Sequence, residues 1–130
     1  MKKEHKFNFG TLKLFNAHAI IECNDGVNID SNEIQEIKKV LLHFFDGVCF
    51  GLIKHRTNHY SVNPIALNEL FSHEQLVAGA VVNVIHSPNV IDAIEQRIVK
   101  SSPLRFFTEM DSAINWINDH LSNHNKTDNA

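Results

Sequence analysis

The segment between residues 54 and 63 gathers most of the side chains in this chain that could do chemistry. Its candidate residues are Lys54, His55, Arg56, Asn58, His59, Tyr60, Ser61 and Asn63. Asn63 followed by Pro64 predicts a helix start, because asparagine caps well and proline suits the first helical position. The free N–H groups and positive dipole end of a helix favour an anion, and the neighbouring cations would suit a phosphate or a carboxylate. The segment is therefore a candidate anion-binding or partner-binding loop. The alternative is a solvated connection in which Asn63 itself fills the cap.

Two histidines of this segment, His55 and His59, stand four residues apart. On a helix that spacing lets two imidazoles share a metal, but the pattern of this segment predicts a loop. Two ligands also fall short of the three or four that zinc needs. We therefore predict no metal site and no cofactor.

Nucleophilic catalysis has little support in the sequence. Cys23 and Cys49 lie inside apolar runs, where cysteine behaves as a small hydrophobe. The five glycines form no nucleophile elbow, no phosphate-binding loop and no dinucleotide fingerprint. We predict that the chain is not an enzyme. The alternative is an uncharacterised enzyme that uses the loop carrying His55 and His59.

Composition narrows the remaining classes. The chain has 130 residues, of which 43% are hydrophobic, enough for one domain with its own core. A net charge of −3 argues against a nucleic-acid binder, which would normally be basic. No apolar run approaches the roughly 18 residues of a membrane span, and no signal-like stretch follows the first residues. Two cysteines without a disulfide or metal pattern predict a cytoplasmic location.

The elements that must position the segment follow from hydrophobic periodicity. Period-2 alternation and short apolar runs predict strands, and apolar residues at helical spacing after a capping residue predict helices. The predicted strands are Phe9–Phe15, His18–Cys23, Val48–Ile53, Leu76–Ile85 and Leu104–Thr108, and the predicted helices begin at Asp30, Asn63, Ser87 and Asp111. Asp30 and Glu33 have the spacing of a capping box.

This order predicts an α/β fold: an N-terminal β-hairpin, then alternating helices and strands around a mostly parallel sheet of about five strands and four helices. Residues 7–121 would form the domain, with a flexible N-terminus at 1–6 and a disordered C-terminal tail at 122–130. Ligands meet such sheets at the carboxyl ends of the strands. That rule selects three loops: 54–63, 86–87 and 109–111.

Three stretches carry a resemblance to a known family. They are Phe9–Phe15, the strand Gly51–Ile53 with the following Asn58–Pro64, and Ala113–Ile117. In these stretches the chain resembles the bacterial STAS/SEC14-domain proteins, also described as SpoIIAA-like. The resemblance covers roughly Phe7 to Leu121, and its most distinctive part is Tyr60-Ser61-Val62-Asn63-Pro64.

The resemblance implies a small α/β domain that acts by binding other proteins and, in some members, small ligands. In the anti-sigma-factor antagonists of that family, a partner kinase phosphorylates a serine at the start of the second helix. Ser61 occupies about that place, without the aspartate before it and the glycine after it that the usual motif has. We therefore predict a non-enzymatic regulatory or protein-interaction module with an unidentified protein partner and Ser61 as the candidate phosphorylated switch.

A second function stays open, namely a carrier or sensor of a small apolar ligand or lipid, as the SEC14 part of the family name suggests. It would need an enclosed apolar space of a few hundred Å³. The phenylalanines that could line such a space are Phe44, Phe45, Phe50, Phe71, Phe106 and Phe107. The alternative is that they fill an ordinary core. Homodimerisation through an uncovered helix face or edge strand also stays open.

Overall fold

The structure, a computed structural model, describes residues 1–83 and 103–128, with side chains as far as residue 124. Its strands are β1 (Lys3–Phe7), β2 (Gly10–Leu14), β3 (His18–Cys23), β4 (Asn28–Ile29), β5 (Phe50–Arg56), β6 (Ser61–Val62), β7 (Leu76–Asn83) and β8 (Leu104–Phe107). Its helices are α1 (Ser31–Phe44), α2 (Pro64–Phe71) and α3 (Met110–Asp128).

The main sheet has six strands in the order β1-β2-β3-β5-β7-β8. The pairs β1–β2 and β2–β3 are antiparallel, and the pairs β3–β5, β5–β7 and β7–β8 are parallel. Strands β4 and β6 form a separate parallel pair. The predicted α/β architecture and the predicted hairpin between the strands ending at Phe15 and Cys23 are thus confirmed.

Helices cover both faces of the sheet. One core cluster contains Ile34, Ile37 and Leu41 of α1 and buried residues of α2. The other contains Ala113 and Ile117 of α3. Parallel strands need this two-sided cover, and it explains why β5 and β7 begin as continuous apolar runs. None of the described helices is long and apolar enough to cross a membrane.

The predicted caps of α1 and α2 are confirmed at atomic detail. The Asp30 side chain accepts from the first turn of α1, and the Asp30 N–H donates to Glu33 Oε1 at 3.0 Å. The Asn63 side chain accepts from the Ile65 N–H at 3.0 Å. Capping interactions of this kind are local in sequence, which is why they can be read without the fold.

Both termini contain regular structure that the sequence did not predict. Residues 3–6, predicted as part of a flexible start, belong to β1, which pairs with β2 from Lys3 to Phe7. The tail predicted as disordered is helical as far as Asp128, because α3 continues past the packed Leu121 at little cost once it has been nucleated. Neither β1 nor the end of α3 was predicted, because the sequence of both is polar. Helix α3 also begins at Met110, so Asp111 lies in its first turn instead of capping it.

The described residues contain three helices against the four predicted, and six strands in the main sheet against about five. The predicted helix beginning at Ser87 and the predicted loop at residues 86–87 lie outside the described residues. So do the last two residues of the strand predicted over Leu76–Ile85.

Candidate functional site

Strand β5 is longer and begins later than the sequence predicts. It runs from Phe50 to Arg56 instead of from Val48 to Ile53. Val48 is 53% exposed and precedes the strand. Lys54, His55 and Arg56, predicted as loop residues, are strand residues paired with β7. The long apolar stems of lysine and arginine let them continue a buried strand, which charge-based reasoning does not anticipate.

The predicted site residues separate into three groups as a consequence. Successive side chains of a strand point to opposite faces, so Lys54 and Arg56 lie on the α1/α2 side and His55 lies on the α3 side. Tyr60 is buried with the first two, at 7% exposure. Asn58, His59, Ser61 and Asn63 form the outer part of the segment. The structure therefore does not bring all of the predicted residues into one site.

The inner group is a buried cluster of two cations around an aromatic ring. Lys54 is 4% exposed and Arg56 is 6% exposed. The Lys54 Nζ lies 5.6 Å and the Arg56 Cζ 5.0 Å from the centroid of the Tyr60 ring. The Arg56 guanidinium also donates to the Tyr60 carbonyl at 3.1 Å. Desolvated cation–π contacts and this charged hydrogen bond partly offset the cost of burying the charges.

Cys23 of β3 lies against the same inner group. Burial raises the pKa of its thiol to about 11, against the lowering effects of Lys54, Tyr60 and Arg56. The thiol is therefore neutral at physiological pH, and it is not a nucleophile. The prediction that Cys23 behaves as a small hydrophobe agrees with this environment. Cys49, in contrast, is half-buried and lies just before β5.

We expect the two thiols to differ sharply in reactivity. At pH 8 about one Cys23 in a thousand would be a thiolate, so a disulfide reagent should react quickly with Cys49 and reach Cys23 only after unfolding. Absorbance from Ellman's reagent, added to native and to denatured protein, measures this. Cys49→Ser should remove the fast phase and leave the slow one. Equal rates for both thiols would contradict the burial described for Cys23.

The outer part of the segment is held along its length by residues 23–30. The Asn58 side chain donates to the Cys23 carbonyl at 3.0 Å, and the His59 N–H donates to Asp25 Oδ1 at 3.1 Å. Farther along, the Ser61 N–H donates to the Val27 carbonyl at 3.1 Å. We call this pair of segments, residues 58–63 with 23–30, the β4–β6 platform. These hydrogen bonds tie the segment to residues 23–30, while His59 and Ser61 remain exposed on its surface.

Ser61 and Asn63 lie at the end of the platform beside the start of α2. The exposed Ser61 hydroxyl donates to Asn28 Oδ1 at 2.8 Å. The Asn63 side-chain amide donates to Asp30 Oδ1 at 3.0 Å, which links the caps of α1 and α2. Because Asn63 also accepts from the Ile65 N–H, the chain itself occupies the capping position that the sequence offered to an anion.

His55 belongs to a different polar group on the α3 side of the sheet. Its Nδ1 lies 2.9 Å from Glu22 Oε1, and Lys13 Nζ lies 3.6 Å from the same oxygen. A carboxylate in this position fixes the orientation of the imidazole. His59 is exposed on the platform instead, so the two histidines do not form a pair. Among the side chains described, those of residues 1–83 and 103–124, no three histidines, cysteines, aspartates or glutamates gather as metal ligands do.

The space between the sheet and helices α1 and α2 is small. A cavity of about 20 Å³ lies there, lined mainly by aliphatic side chains together with Lys54 and Tyr60. That volume accommodates about one water molecule, whereas an apolar ligand needs a few hundred Å³. The phenylalanines fill space nearby, as when Phe45 stacks on Phe50 with ring centroids 4.3 Å apart.

Sequence reasoning missed the partners of the segment, Glu22, Cys23, Asp25, Asn28 and Asp30. They lie 33 to 35 positions along the chain from the residues that they contact, so no local pattern reveals them. One signal was available for β5. The predicted strand Leu76–Ile85 has ten residues, whereas the predicted strand Val48–Ile53 has six. Pairing the two along their whole length would extend the shorter strand into the charged residues after Ile53.

The chain was compared with protein-family models, with curated proteins and with solved structures, and none of them matches it.

Proposed function

We propose that this chain is a non-enzymatic regulatory or protein-interaction module of STAS-like type whose working surface is the β4–β6 platform together with the first turn of α2. The observation that carries the proposal is Ile65, which is 69% exposed at the start of α2. It lies two residues past the cap Asn63, on a backbone fixed by the hydrogen bonds of the platform.

An exposed isoleucine on a fixed backbone suits protein recognition. Apolar anchor residues that fill a pocket on a partner supply much of the affinity of an interface. A backbone that already has its bound conformation lowers the entropy cost of binding. Around Ile65 the surface is polar and uncharged or acidic, with Ser61 and Asp30 both exposed. An apolar centre with a polar rim is the common anatomy of a transient interface.

Ser61 is the candidate switch of this surface. Its hydroxyl is exposed, and the first turn of α2 carries no acidic residue of its own. A phosphate would add about −1.5 to −2 charges beside that helix start, and it would replace the hydroxyl donor now bonded to Asn28. The resemblance to the STAS/SEC14-domain proteins supports the same assignment, because in the anti-sigma-factor antagonists of that family a serine at the start of the second helix is phosphorylated.

Ile65→Asp is expected to weaken binding of the physiological partner at least tenfold, because it places a charge where a desolvated anchor is needed. The unfolding free energy should change by less than about 0.5 kcal/mol, since the side chain is mostly exposed. Quantitative proximity labelling in the native cells, followed by titration of the purified partner, gives both the identity and the affinity. Val48→Asp is the matched control, because Val48 is exposed to 53% but precedes β5, away from the platform.

The outcome separates the possibilities. Loss of the same partner with both variants, or with neither, removes the assignment to the start of α2. For Ser61, intact-mass measurement of protein purified from native cells under several growth conditions tests the switch. Absence of the phosphate under all of them would end the switch proposal and leave the binding surface standing.

A further inference from the structure

Strand β1 is one of the two edge strands of the main sheet, and β8 is the other. Strand β1 forms one end of the strand order and pairs on one side with β2, and no described strand pairs with its other side. An edge of five residues offers unpaired backbone N–H and C=O groups to a further strand. A strand that pairs with this edge must carry side chains compatible with those of β1.

One acidic and one basic residue flank the central residue of β1, and a second lysine, Lys3, begins the strand. Glu4 and Lys6 flank His5, both are exposed, and within the described part of the chain neither forms an ion pair. Glu4 lies opposite Lys13 in the β1–β2 register, but the Lys13 ammonium is directed to Glu22. A wholly basic edge would suggest an acidic partner, whereas on this edge a glutamate and a lysine flank the centre, and the second lysine lies at the start of the strand.

We propose that β1 pairs with β1 of a second copy of this chain, antiparallel and centred on His5. In that register Glu4 of each copy lies opposite Lys6 of the other, so the pairing forms two cross-strand ion pairs. Lys3 lies opposite Phe7, whose ring the lysine stem can cover. Side chains directly opposite in an antiparallel pair have their Cβ atoms about 4.5–5.5 Å apart, within reach for a glutamate and a lysine.

The neighbouring antiparallel registers fit less well. A shift of two residues to one side puts Glu4 opposite Glu4, and a shift to the other side puts Lys6 opposite Lys6. Like charges directly opposite each other destabilise a strand pair. Shifts by one residue would place side chains of one face opposite those of the other face, which breaks the two-residue period of the joined sheet. Only the register centred on His5 uses all five residues and pairs opposite charges.

The shape beside β1 agrees with a second copy. A groove runs between β1 and α1, formed by two adjoining cavities of about 310 and 380 Å³ that share His5, Lys39 and Val40. The register centred on His5 keeps His5 and Phe7 of both copies on the same face, the one that bears α1. Each groove would then receive side chains of the other copy at the two-fold axis, and the two sheets would join into one of twelve strands, six from each copy.

Charge reversal tests the pairing. Glu4→Lys or Lys6→Glu alone turns two attractive cross-strand pairs into two repulsive ones, so each should weaken dimerisation about tenfold or more. An equimolar mixture of the two variants should form a heterodimer, because one chain then carries lysine at both positions and the other carries glutamate at both. The double variant Glu4→Lys/Lys6→Glu should dimerise as the wild type does. Sedimentation velocity across a concentration series measures all four.

Glu74→Lys, which makes the same charge change at an exposed residue between α2 and β7, is the control and should leave the dimer intact. Both single variants involve exposed side chains, so at a concentration at which the wild type is monomeric they should keep its melting temperature, and a loss of dimer cannot be confused with unfolding. A wild-type chain that stays monomeric up to about 0.5 mM overturns the proposal. So does a dimer that ignores both reversals, or a mixture of the single variants that does not associate.

Discussion

Gly79→Ala is expected to lower the unfolding free energy by about 3 kcal/mol. A Cβ at this position of β7 would lie 2.8 Å from Cζ and 3.0 Å from Cδ1 of Phe71, whose ring is 1% exposed. Neither the backbone of β7 nor the Phe71 ring can move aside easily. Strand β7 is held between β5 and β8, and Phe71 is enclosed at the end of α2. Thermal unfolding followed by circular dichroism should show a fall in melting temperature of about 10 °C.

Phe71→Leu gives the control for that prediction, because it removes the ring atoms that an added Cβ would meet. Each single substitution should be destabilising, and the double variant Gly79→Ala/Phe71→Leu should be more stable than the sum of the two losses predicts. Additive losses would mean that the glycine is needed for the strand backbone and not for the approach of the ring. The cycle also tests how firmly α2, which carries Ile65, is packed on the sheet.

The sequence predicts those parts of the fold that depend on local interactions. The capping box of Asp30 and Glu33, the cap at Asn63 and the hairpin between β2 and β3 all involve residues close in the chain, and each is present in the structure. Strand β1 escapes prediction because Lys3–Phe7 has the composition of a solvated terminus. Its order comes from pairing with β2 and from Phe7 packing against the core, where it stacks on Phe9 at 4.8 Å.

The candidate site shows the same division between local and long-range information. Reasoning from residue types selects the correct segment for an exposed serine beside a helix start, since Ser61 and Asn63 are where the cap pattern places them. It cannot tell that Lys54 and Arg56 are buried, because that depends on β7, more than twenty residues away, extending to Asn83. It also cannot show that His55 lies on the opposite face of the sheet from Lys54 and Arg56. The polar sequence of this stretch predicts a loop, whereas the alternation of faces belongs to a strand.

Tyr60→Ala is expected to be the second strongly destabilising change, with a loss of about 4 kcal/mol. Tyr60 is 7% exposed, and its ring lies between the buried charges of Lys54 and Arg56 and the platform. Removal of the ring leaves a cavity and takes away the cation–π contacts of both side chains. Tyr60→Phe keeps the ring and should cost less than about 1.5 kcal/mol. Urea unfolding of the three proteins measures the difference.

Tyr60→Ala should also loosen the β4–β6 platform, the surface that we propose to bind a partner. The platform is fastened outside by the Ser61 and Asn63 N–H groups, which donate to Val27 and Ile29, and inside by the buried Tyr60 ring, which lies against Lys54 and Arg56. Hydrogen exchange of those two amides should therefore quicken in Tyr60→Ala more than exchange in the middle of α3 does, and stay unchanged in Tyr60→Phe. Uniform acceleration across the chain would show that Tyr60 stabilises the whole fold without a particular hold on the platform. A loss of under about 1 kcal/mol in Tyr60→Ala would mean that the two buried cations do not depend on the ring.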